Sequence, residues 1–79
     1  MVAYIKHISM IMRRAGAENT YENKVILDGI IREVLKMQGA DSNEVWEKVK
    51  GIMFAGDPAR KKLFEDTVVR IFIKKLVTG

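Results

Sequence analysis

His7 is the one side chain in this sequence whose ordinary pKa lies near neutrality, so acid–base chemistry would have to start there. In "AYIKHISMIMRR" it shares a polar helical face with Lys6, Ser9, Arg13 and Arg14, and no carboxylate stands at helical spacing to orient it. That is the pattern of a solvated surface histidine. The carboxylates do not pair for general acid–base work. Glu65 and Asp66 are neighbours and diverge on a helix, and Glu44 and Glu47 share an open outer face. With no cysteine in the chain, disulfides, thiolate nucleophiles and thiolate metal sites are excluded, and a lone histidine makes no zinc site. No Gly-rich phosphate loop or nucleophile elbow is present. The expectation is a non-enzymatic protein with no catalytic residue, no metal and no cofactor.

Binding chemistry is more promising. In "FAGDPARKKLF", residues 54–64, Asp57 has the type of a helix cap and Pro58 suits the first helical position. Arg60, Lys61 and Lys62 then place three cations in the first turn, where the macrodipole disfavours them. Unpaired N–H groups at a helix start attract anions, so an anion bound there would explain the three cations; ordinary wet surface is the competing reading. Arg13 and Arg14 at the end of the first helix, with Lys48 and Lys50 on the third, would extend the patch. The charge is polarised. Residues 1–17 carry three bases and no acid, residues 18–47 seven acids against three bases, and residues 48–79 eight bases against three acids. Basic ends of this kind suit nucleic-acid phosphates, bound without sequence reading and weakened by salt. A groove-reading helix-turn-helix fits less well. After Gly39 the second helix presents Glu44 and Glu47, and after Gly56 the turn holds Asp57 and Pro58 where an apolar residue usually packs.

Four helices must position these groups, at about residues 2–15, 20–38, 43–55 and 58–77, making one all-α domain of 79 residues. In the first, Met1, Tyr4, Ile5, Ile8, Ile11, Met12 and Ala15 fall within an arc of roughly 120°. Asn19 with Glu22 has the form of a capping box for the second, whose stripe is Ile26, Leu27, Ile30, Ile31, Val34, Leu35 and Met37, with Gly39 as its stop. Asp41 or Ser42 caps the third, with Val45, Trp46, Val49, Ile52 and Met53 inward. The end of the fourth is apolar on nearly every side: Val68, Val69, Ile71, Phe72, Ile73, Leu76 and Val77 leave only a narrow edge at Arg70 and Lys74. β-Branched residues there also permit a strand over 67–73, but no partner strand is evident.

A helix apolar all round has to be covered all round. A chain this short buries only about 60–65% of its unfolded surface, and small domains without disulfides or metals are often reinforced by association. A homodimer through the fourth helix, with Val69, Phe72, Ile73, Leu76 and Val77 at the contact, is therefore expected. A protein adaptor is the alternative, with Met10, Phe54, Ile73 and Val77 facing a different polypeptide in a larger complex and no nucleic-acid contact.

"GADS", residues 39–42, resembles the modification site of acyl carrier proteins. That four-residue resemblance implies a four-helix protein carrying phosphopantetheine on Ser42. The pattern departs at Asn43, where the family has an apolar residue, and in the basic charge of the chain; Asp41 and Ser42 also have the types of a plain helix cap. The longest apolar run is Met1–Ile5, far short of the ~20 residues of a membrane span, and the arginines follow the apolar part rather than precede it. A cytoplasmic protein with no membrane contact is the expectation.

Overall fold

The apolar stripe of the first segment does not run as one helix. In the computed structural model, which describes residues 3–78, a 3₁₀ helix, Ala3–Ile8, is followed after Ser9 by a short α-helix, α1, Met10–Arg14. Met1 and Val2, read as part of this helix, lie outside the described residues. The spacing explains the tighter winding. Ile5, Ile8 and Ile11 are all fully buried and stand three apart, which matches a 3₁₀ helix, where i and i+3 eclipse. At one end the Tyr4 hydroxyl donates to the Asp28 carboxylate. Burial and then that bond push the Tyr4 phenol well above its ordinary pKa.

Helix α2, Tyr21–Leu35, is capped by Thr20 rather than Asn19: the Thr20 hydroxyl accepts the Asn23 N–H at 3.2 Å. It also ends earlier than Gly39 suggested. Lys36 turns into the left-handed region at φ 58°, and the Met37 N–H closes on the Arg32 carbonyl at 2.8 Å. This satisfies the last carbonyls as a Schellman turn does, with a lysine in the place usually given to glycine.

Arg32 then ties the turn together. Its Nε donates to Asp28 at 2.9 Å, one Nη to the Ala40 carbonyl and the other to the Ser42 hydroxyl at 3.5 Å. Tyr4, Asp28 and Arg32 thus link the 3₁₀ helix, α2 and the start of α3, and no buried side-chain polar atom is left unpaired among the described residues.

Helix α3, Ser42–Met53, begins with the Asp41 carboxylate accepting the Glu44 N–H at 2.9 Å. Val45, Val49, Ile52 and Met53 face inward. The connection to α4 needs Gly56, at φ +90°, a conformation that side chains rarely adopt. Helix α4, Pro58–Thr78, is helical throughout, so the strand alternative for residues 67–73 is not adopted.

Helix α4 packs against α1, α2 and α3. Phe64, Val68, Val69 and Phe72 are buried and Ile71 is half-buried, all within the single chain. The segment is apolar on many sides because neighbours in its own chain surround it. The radius of gyration, 11.7 Å, agrees with the roughly 11.6 Å expected of a folded domain of this length. Only the last turns stay open, with Ile73 42%, Leu76 39% and Val77 80% exposed.

Candidate functional site

The α3–α4 junction gathers most of the features that can bind a ligand. Gly56 lets the chain reverse, and Asp57 with Pro58 starts α4 immediately. The Asp57 carboxylate accepts the Arg60 N–H at 3.1 Å. The helix start is therefore capped by its own chain, and a bound anion would have to sit beside a carboxylate. Arg60, Lys61 and Lys62 are exposed. Among the described residues none has a carboxylate within ion-pair distance, whereas Arg14, Arg32, Lys50 and Lys75 each have one. An open cleft of about 330 Å³ lies at this junction, lined by Met53, Phe54, Gly56, Asp57, Pro58 and Lys61.

The cleft continues into an aromatic cluster. Phe54 is 56% exposed and meets Trp46 edge to face, ring centres 6.2 Å apart. His7 stacks on Trp46 at 5.2 Å with the planes 19° apart, and Tyr4 stacks at 6.0 Å. The Lys50 ammonium lies 5.6 Å from the Trp46 ring centre while pairing with Glu47 at 2.7 Å. Cations near aromatic faces gain from the ring quadrupole. Sequence reasoning placed Trp46 on the core stripe and His7 alone on a polar face. It missed the cluster because the contact joins residues 39 apart in the chain, and no local pattern records it.

The other expected site residues are divided. Arg14 bridges two carboxylates of α4, Glu65 at 2.6 Å and Asp66 at 2.8 Å. Those bonds, Asp66 first, raise the Arg14 pKa, and the guanidinium holds the Asp66 carboxyl below its usual range, helped by Lys62 and Arg70. Arg14 thus reaches the neighbourhood of Lys62, but its charge is neutralised there. Arg13 and Lys48 are exposed and carry no ion pair among the described residues, and no contact ties either to the cleft. Of the expected contact residues on α4, Val69 and Phe72 are occupied in the chain's own core, while Ile73, Leu76 and Val77 are open.

No family model matches the chain, no curated protein is significantly similar to it, and no solved structure matches it significantly. The function therefore has to be argued from the geometry.

Ser42 is half-buried, opens α3 after the Asp41 cap, and takes a hydrogen bond from Arg32. These are the duties of a turn residue. His7 stacks rather than pairing with a carboxylate. Among the described residues, no three His, Asp or Glu side chains converge as metal ligands, and no helix is long and apolar enough to cross a membrane.

Proposed function

We propose that this chain is a non-enzymatic accessory or regulatory protein that binds the phosphate backbone of nucleic acid through the surface at the start of α4. The supporting observation is that Arg60, Lys61 and Lys62, three successive cations at the start of α4 of which Arg60 and Lys61 lie in the first turn that disfavours them, stand exposed beside a cleft and have no carboxylate within ion-pair distance among the described residues. Arg60 and Lys61 leave their positive charge to an external anion, Lys62 does so less because it also faces Asp66, and Arg14 spends its own on Glu65 and Asp66. Lys50 and Lys48 on α3 supply secondary contacts, Lys50 more weakly because Glu47 holds it.

A labelled duplex titrated across a salt series tests this. Contacts to about three phosphates give a log–log slope near −3, and replacing Arg60, Lys61 and Lys62 together by Gln removes most of that slope. Binding that ignores salt, or a triple variant that binds like the parent, refutes it.

A second reading rests on a separate observation, the exposed apolar end of α4. Ile73, Leu76 and Val77 suit a contact with a second copy or with another polypeptide. Light scattering over a concentration series separates them: a dimer fits self-association, and a dilute monomer at all concentrations fits an adaptor awaiting a different partner.

A further inference from the structure

We infer that the cleft at the α3–α4 junction takes one unpaired base, so that the chain selects single-stranded over double-stranded nucleic acid. This rests on the phosphate-binding reading above and adds the class of nucleic acid. Three observations carry it. First, the cleft joins an apolar wall, Met53, Phe54 and Pro58, to a cation, Lys61, with the Asp57 carboxylate, already engaged by the Arg60 N–H, also in its lining. A base has an apolar face and stays tethered to an anion, and that is the complementary arrangement. Second, Phe54 keeps more than half of its surface open while it meets Trp46 edge to face. That contact limits the freedom of the ring, so a stacking partner has less to order on binding. Third, the volume, about 330 Å³, lies at the low end of small-molecule sites, roughly 300–1,000 Å³, and suits one ring system.

Within a duplex both faces of a base are already stacked, so only an unpaired base can offer a face to Phe54. Arg60 and Lys62, exposed on either side of Lys61 in the chain, then meet the flanking phosphates. An acidic peptide with an apolar side chain is the rival occupant. The nucleic acid is favoured because Lys61 lies in the cleft itself with unpaired cations next to it, matching an anion on each side of an apolar ring rather than a single apolar anchor.

The experiment compares three probes at low salt: oligothymidine about twelve nucleotides long, an abasic deoxyribose-phosphate oligomer of equal length, and a duplex of that length. Trp46 is the only tryptophan in the chain, so its fluorescence reports events at Phe54. The single strand binds about 5- to 150-fold more tightly than the abasic oligomer, the range that one stacked base supplies. It also changes the Trp46 emission, which the abasic oligomer leaves alone. Phe54→Leu lowers the single-strand affinity to that of the abasic oligomer, and Phe54→Tyr, which keeps a ring, retains the preference; circular dichroism confirms that both variants are folded.

Equal affinity for the single-stranded and abasic oligomers overturns the base site and leaves phosphate binding standing. No binding of any oligomer, even at low salt, overturns both. A Trp46 response to an acidic leucine-containing peptide but to none of the oligomers overturns the inference in favour of a protein occupant.

Discussion

Asp57 does two things at once, and replacing it separates them. Its carboxylate accepts the Arg60 N–H at 3.1 Å, and it lines the cleft together with Lys61. As a cap it stabilises α4; as a charge it repels any phosphate that approaches Lys61. Asp57→Ser keeps a capping oxygen and removes the charge. Serine caps about as well as aspartate, so the stability change is only the lost macrodipole interaction, about 0.3–1 kcal/mol. Asp57→Ala removes the cap as well and costs about 1 kcal/mol more. For binding, the repulsion is worked for a phosphate at Lys61 placed on the order of 6 Å from the Asp57 carboxylate. At an effective dielectric between those of water and the protein surface, removing that repulsion is worth about 1 kcal/mol, or roughly fivefold in affinity.

The assay is anisotropy of a labelled oligonucleotide at low salt, with urea unfolding of the same samples. Asp57→Ser binds about fivefold more tightly, and the gain shrinks as salt rises. An unchanged affinity in a folded Asp57→Ser variant would refute the placement of the phosphate at the cleft. Equal destabilisation by Ser and Ala would refute the capping argument.

Lys36→Gly stabilises the fold by about 0.5–1 kcal/mol, raising Tm by a few degrees, because the left-handed turn favours glycine; Lys36→Ala gives no such gain in a thermal melt. Tyr4 has a phenol whose folded pKa is raised, so its contribution is fully present below the unfolded value near 10 and is lost as pH rises beyond it. In urea titrations between about pH 10 and 11.5 the parent loses stability faster than Tyr4→Phe by about 1.4 kcal/mol per pH unit. Phe72→Ala opens a cavity in the chain's own core and costs about 3–5 kcal/mol, enough to unfold much of a domain this size. Val77→Ser, by contrast, costs under about 0.5 kcal/mol in a monomer. A larger cost that grows with protein concentration would instead show that copies meet there.

The four helices were legible because their signals are local. Apolar residues three and four apart mark the inward faces of α2 and α3, and Asp41 and Asp57 announce two starts through bonds spanning three residues, the second reinforced by Pro58 at the first helical position. The break at Ser9 was not, because Ile5, Ile8 and Ile11 fit a period of 3.0 nearly as well as 3.6 over so short a stretch. Lys36 was hidden by Gly39, the stronger stop signal three residues on. For α4 the pattern left one point open. An all-round apolar pattern states that a helix is covered and is silent on whether its own chain or another does the covering, and here α1, α2 and α3 cover residues 64–72. The basic turn at Arg60–Lys62 could be read directly. Its aromatic neighbours could not, because Trp46, His7 and Phe54 meet only after the chain folds.

Amide chemical-shift mapping with an added single-stranded oligonucleotide tests the central claim most directly. Binding at the start of α4 moves the backbone amides of residues 54–57 and 59–62 and the Trp46 indole N–H, and leaves Ile73, Leu76 and Val77 in place. Shifts confined to the end of α4, or none at low salt, would contradict it.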